Sequence, residues 1–118
     1  MLFAASVTIM SAWAESAGDA QAGQSVFDQC RACHSLSVSQ NGRGPTLYRV
    51  FGRRAGTMPG YAYSTAMRNS AIVWTDATLE QYLTSPHELI PGDKMAFAGI
   101  KDRQQVRDLL AYLREAAQ

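Results

Sequence analysis

Cys30-Arg31-Ala32-Cys33-His34 decides the reading of this chain. Residues at i, i+3 and i+4 share one face of a helical turn, so both thiols and the imidazole point the same way. Cys30 and Cys33 are thereby placed to form thioethers with two neighbouring vinyl groups of one porphyrin, while the His34 ring points at its iron. That is the attachment pattern of a c-type haem.

Three other readings use the same residues. A redox-active Cys-x-x-Cys dithiol opens a helix in the same way, but it does not call for a histidine directly after the second cysteine. A structural zinc site needs four ligands, and only His87 remains to complete the set. A disulfide between Cys30 and Cys33 closes a short loop and gains little from it. The haem reading accounts for all three side chains at once.

The chain has 118 residues, enough for one domain. Its 11 basic and 10 acidic side chains give a net charge of +1, which argues against general nucleic-acid binding. A hydrophobic content of 47% is ordinary for a globular protein. In a domain this small, a buried porphyrin adds a large apolar body to the core.

Leu2 to Ala14 is an uncharged, mostly apolar run ending in Ala12-Trp13-Ala14, a small-x-small pattern suited to signal peptidase. It is too short to span a bilayer, so stable membrane insertion is not expected. No Lys or Arg precedes it. A start site placed too far downstream accounts for that missing charge. The expected organisation is a signal peptide over 1–14, with a truncated n-region, and a single domain over 15–118. The exported protein should then have the intact mass of residues 15–118 plus one haem. Export fits the motif, because thiol pairs outside the cytoplasm meet an oxidising compartment.

Asp19 is the expected N-cap of a helix from about Ala20 to His34, in which Val26 and Phe27 supply apolar bulk. Gly23 fits either a close helix crossing or a tolerated glycine. From Ser35 to Gly60 the composition turns to Ser, Asn, Gly, Arg and Pro without periodicity, the mark of a long loop wrapped on something. Within it, Gly44-Pro45-Thr46-Leu47 reads as a tight turn carrying an apolar side chain inward. The Pro45 carbonyl could accept the Nδ1 proton of His34; an ordinary turn proline fits as well.

Short helices are expected at about Ser64 to Asn69 and Asp76 to Thr84, the second capped by Thr75 and stopped before Pro86. Tyr61, Tyr63 and Trp74 are rings that want an apolar body and a polar partner at the tip, either haem propionates or ordinary core neighbours. The last helix is expected from Arg103 to Ala116, with Asp102 and Gln105 as a capping box. Val106, Leu109, Leu110 and Leu113 form its apolar stripe, with Tyr112 beside it.

If His34 takes one axial position, the candidates for the other are Met58, Met67, Met95, His87, or no protein ligand at all. Met95 follows the Pro91-Gly92 turn and precedes apolar residues, which puts a soft sulfur on a constrained loop. Met58 and Met67 read as packing residues, and His87 as a solvated surface histidine.

The sequence resembles a class I cytochrome c of the mitochondrial and bacterial photosynthetic or respiratory type. The likeness rests on Cys30 to His34, Gly44-Pro45, Phe51-Gly52-Arg53, Pro59-Gly60-Tyr61-x-Tyr63, Trp74, Tyr82-Leu83, Ile90-Pro91-Gly92-x-Lys94-Met95-x-Phe97-Ala98-Gly99 and Asp108-Leu109-x-Ala111-Tyr112-Leu113. It runs from Gly23 to the C-terminus.

The resemblance implies an all-α fold of several short helices and long loops wrapped around one covalently bound haem c. First and last helices would cross near Gly23, Phe27, Leu109 and Tyr112. His34 and Met95 would be the axial ligands, and the Pro45 carbonyl the partner of His34. Tyr63 and Trp74 would bond propionates with Arg53 near them, the Tyr82 hydroxyl would lie near the Met95 sulfur, and Phe97 would cover the haem beside its exposed edge.

Three positions depart from the family pattern. Asp93 stands where a threonine is common before Lys-Met, Met67 stands where an asparagine is usual, and Lys94 and Lys101 are the only lysines. Arginines 31, 43, 49, 53, 54 and 68 replace part of the usual basic ring.

The implied function is that of a soluble, monomeric, periplasmic one-electron carrier rather than an enzyme. Its partners would be a membrane cytochrome bc complex and a terminal oxidase or photosynthetic reaction centre. The alternative is a haem protein that binds small ligands or turns over peroxide after losing a displaceable Met95.

Overall fold

The computed structural model describes residues 3–5 and 18–118. The expected signal peptide and its cleavage point after Ala14 lie almost wholly outside the described residues. Described elements are α1 (Ala20–Phe27), a 3-10 turn (Asp28–Cys30), α2 (Thr65–Arg68), α3 (Asp76–Thr84), α4 (Pro86–Leu89) and α5 (Arg103–Ala116). No strand forms among the described residues; Arg54 and Val73 make one isolated antiparallel bridge. No described helix is long and apolar enough to cross a membrane.

The first helix is shorter than the expected Ala20 to His34. Beyond Phe27 the backbone tightens, with the Arg31 N–H donating to the Asp28 carbonyl and the Cys33 N–H to the Cys30 carbonyl. Bonds of this i to i−3 kind satisfy the last carbonyls of a helix that has run out of partners. The His34 N–H still reaches the Cys30 carbonyl at 3.0 Å, so the thiols and the imidazole remain on one continuous turn.

Helix α1 is fixed to α5 at its cap. Asp19 Oδ1 accepts the N–H of Gln21 at 2.9 Å, while the Asp19 N–H donates to Asp108 Oδ1 at 2.8 Å. Asp108 is buried, and the same oxygen receives Gln104 Nε2 at 2.9 Å. The cap that starts one helix is therefore held by a carboxylate on the other.

Further along, Gly23 settles the open reading in favour of a close crossing. A Cβ there would overlap the Asp108 carbonyl oxygen and lie 2.8 Å from Tyr112 Cβ. Against this contact pack Phe27, Val106, Leu109, Leu110 and Leu113, all buried, so the stripe read from the sequence is the core. Each such side chain contributes roughly 1.5–3 kcal/mol of burial. Gly23→Ala is expected to cost about 3 kcal/mol, the upper end of ordinary overpacking, because the obstacle is backbone. The check is the urea midpoint of the haem-loaded protein, and an unchanged midpoint would contradict the close crossing.

The remaining helices are set by local chemistry. Helix α3 has the expected bounds, and its Thr75 cap forms a reciprocal box with Thr78, whose hydroxyl accepts the Thr75 N–H at 2.8 Å. Ser64 caps α2 by accepting the Met67 N–H at 3.1 Å. At α5, Asp102 Oδ1 accepts the N–H groups of Gln104 and Gln105. No bond returns from the exposed Gln105 side chain, so the expected capping box is a one-sided cap. Helix α4 was not expected; Pro86 opens it, a position where the absent N–H costs nothing.

Between Cys33 and α2 the chain holds itself by side-chain anchors. Thr46 is fully buried, and its hydroxyl donates to the Ser37 carbonyl at 2.6 Å. The Arg53 guanidinium donates to the carbonyls of Thr46 and Tyr48, at 2.9 and 3.0 Å. The irregular segment is thus a fixed wall.

Candidate functional site

A cavity of about 460 Å³ opens inside this frame, its wall mostly apolar, with Phe27, Leu79 and Leu109 among the core side chains that face it. Cys30, Cys33 and His34 reach it from the end of α1, and Pro45 and Arg53 from the long loop. Tyr63 and Trp74 come from either side of α2, Tyr82 from α3, and Met95 and Phe97 from the segment before α5. The ten site residues expected from the sequence therefore surround one space. Arg43, Lys94 and Ala96 also line it and are exposed, so they mark its rim.

Cys30 and Cys33 form no disulfide with each other. Burial pushes the Cys30 thiol up to about 11, with the neighbouring Cys33 adding to the rise and Arg31 opposing it. A dithiol catalyst needs the opposite, a thiolate favoured at neutral pH. These sulfurs are placed as points of attachment to something inside the cavity.

His34 Nδ1 lies 2.8 Å from the Pro45 carbonyl oxygen. A carbonyl only accepts, so Nδ1 carries the proton and Nε2 presents a lone pair. Burial lowers the imidazole from its ordinary value; the Pro45 bond works against that, and the Arg53 charge with it. The ring is therefore held neutral, the form that binds a metal. Gly44 makes room for it: a Cβ there would stand 2.7 Å from Nδ1 and 2.9 Å from Nε2.

Of the four candidates for a second axial ligand, Met67 and Met95 line the cavity, whereas Met58 and His87 do not. Met95 follows a closed turn, in which the Asp93 N–H donates to the Ile90 carbonyl at 3.1 Å. The Tyr82 hydroxyl oxygen is 3.9 Å from Met95 Sδ. That hydroxyl donates instead to Asp93 Oδ2 at 2.5 Å. Burial first, and the Asp93 bond second, hold the phenol far above its ordinary range, so it keeps its proton.

His87 is exposed, as expected, but it is not free: its Nδ1 lies 2.5 Å from Asp93 Oδ1. The cluster of Tyr82, Asp93 and His87 was not read from the sequence, where Asp93 stands out only as a departure from the family's usual threonine. Only the fold brings its partners together. The expected propionate partners also have protein contacts, since Tyr63 accepts the Met58 N–H and Arg53 binds two backbone carbonyls. Trp74 packs on Tyr82 with ring centroids 5.0 Å apart.

Two attachable thiols, a neutral imidazole with a free nitrogen, a soft sulfur and an apolar envelope form the donor set that a haem c requires. The residues present fit that group. The family model for Cytochrome c matches residues 20–117. The chain belongs to the cytochrome c family. It is 44% identical over 116 residues to a cytochrome c2 of Blastochloris viridis, an alignment covering 98% of this chain and 91% of that protein. It is 48% identical over 98 residues to a cytochrome c of Euglena viridis, covering 82% and 96%. The solved structure of cytochrome cH from Methylobacterium extorquens aligns with a TM-score of 0.79 at 45% identity, covering 83% of this chain and 99% of that one. The fold is that of a class I cytochrome c, and its cofactor is one covalently attached haem c.

Proposed function

We propose that this member of the cytochrome c family is a periplasmic one-electron carrier whose haem is held by thioethers to Cys30 and Cys33 and ligated by His34 and Met95. The observation that carries the reading is the convergence of those four side chains on one apolar cavity, with His34 already neutral and oriented by Pro45. A haem bound there supplies a ferric/ferrous couple, and a thioether ligand in dry surroundings raises its potential. The protein's part is to fill both axial positions, so that no substrate reaches the metal and little moves when an electron arrives.

Tyr63, Trp74 and Arg53 would face the propionates, and Phe97 would close the haem face beside the exposed edge. Arg43 and Lys94 on the rim, with Lys94 held 4.6 Å over the Tyr61 ring, suit brief docking to an acidic partner face. The partners proposed are a membrane cytochrome bc complex as donor and a terminal oxidase or photosynthetic reaction centre as acceptor, with the chain acting as a monomer.

The experiment is reconstitution. Host membranes stripped of soluble cytochromes are supplied with the purified haem-loaded protein, and oxygen uptake or light-driven oxidation is followed as salt rises. Restored electron flow that weakens steeply with ionic strength is expected. No restoration, together with rapid carbon monoxide binding by the reduced protein, would replace the carrier by a ligand-binding haem protein.

A further inference from the structure

Asp93 is a carboxylate whose side chain has no solvent exposure, two positions before Met95. Oδ2 accepts the Tyr82 hydroxyl at 2.5 Å, and Oδ1 lies 2.5 Å from Nδ1 of His87, whose side chain is 54% exposed. That contact has no hydrogen-bonding geometry, so among the described residues the Tyr82 hydroxyl is the group bonded to this buried carboxyl.

The phenol has a single hydrogen, and two acceptors stand near it. Met95 Sδ, at 3.9 Å, is a thioether and a weak acceptor. The Asp93 oxygen is much closer, at 2.5 Å, and a carboxyl oxygen is a stronger acceptor than a thioether sulfur. The hydrogen therefore belongs to Asp93, and the sulfur receives none.

We propose that Asp93, which lies beside His87, is a positioning residue that withholds the Tyr82 hydroxyl hydrogen from the Met95 sulfur and so leaves the sulfur's electron pairs to the iron. The proposal rests on the reading of Met95 as an axial ligand. A thioether relieved of a hydrogen bond donates more strongly to the metal and favours the ferric state.

The test is a double-mutant cycle read by midpoint potential on the exported haem-loaded protein, with the far-red ferric band followed in each variant. Asp93→Ala should raise the potential, because the hydroxyl is then free to turn to the sulfur. Tyr82→Phe isolates that bond. In the parent it should move the potential little, whereas in the Asp93→Ala background it should lower it clearly, because only there does the sulfur have a hydrogen bond to lose.

Equal Tyr82→Phe shifts in the two backgrounds would overturn the proposal while the far-red band keeps Met95 as ligand. A parent protein lacking the band would remove the ligand reading and the proposal with it. If Asp93→Ala does not fold, proton NMR of the ferrous parent decides. A strongly downfield Tyr82 hydroxyl resonance that moves on His87→Asn supports the proposal. A hydroxyl at an ordinary phenol shift, cross-relaxing with the Met95 methyl, overturns it.

Discussion

Met95→Ala is expected to lower the reduction potential of the haem-loaded protein by on the order of 0.2 V, a fraction of the roughly 0.8 V over which axial ligands set haem potentials. The sulfur reaches the cavity from a closed turn, with apolar residues after it and the hydrophobic core against it. Alanine leaves an axial position that a solvent molecule or an added anion can take, and the harder ligand stabilises the ferric ion. Cyanide and carbon monoxide should therefore bind the variant quickly and the parent poorly. A variant with the parent potential and the parent's inertness would transfer the ligand role to Met67, the other methionine on the cavity wall.

The combined change Cys30→Ala and Cys33→Ala is expected to abolish covalent haem and, with it, the fold. An empty space of about 460 Å³, at about 24 cal/mol per Å³, corresponds to a penalty of about 11 kcal/mol. The open rim makes that an upper figure, yet it matches the roughly 5–15 kcal/mol by which whole domains are stable. Without the haem, the faces that Leu79, Leu109 and Trp74 turn to the cavity lose their packing partner. Denaturing extraction should release no haem-bearing polypeptide, and amide hydrogens at the α1–α5 crossing should lose their protection. Full protection there in a haem-free chain would show that the two helices hold together without the cofactor.

Much of this was legible because its causes are local. Asp19, Ser64, Thr75 and Asp102 cap helices through bonds to N–H groups two or three residues away, so one residue type at one position announces each start. The 3.6-residue spacing of Val106, Leu109, Leu110 and Leu113 gives the core face of α5. The Cys30 to His34 turn carries the attachment chemistry within five residues.

What was not legible depends on contacts across the fold. Gly23 is a crossing point only because Asp108 and Tyr112 stand opposite it. The shortening of α1 follows from where its carbonyls find donors. Asp93 shows in sequence only as a departure from the family's threonine; its meeting with Tyr82 and His87 requires α3, the unforeseen α4 and the methionine segment to come together. Thr46, fully buried, has no sequence signal beyond the proline before it, yet it anchors the wall that carries Pro45.

The central claim is that His34 and Met95 together ligate the haem of a one-electron carrier. An optical redox titration of the haem-loaded protein tests it most directly, following the weak far-red band that a methionine sulfur gives on ferric haem. The account predicts that band in the oxidised protein, lost on reduction in a single one-electron step at a clearly positive potential. A high-spin ferric iron with no far-red band would contradict it.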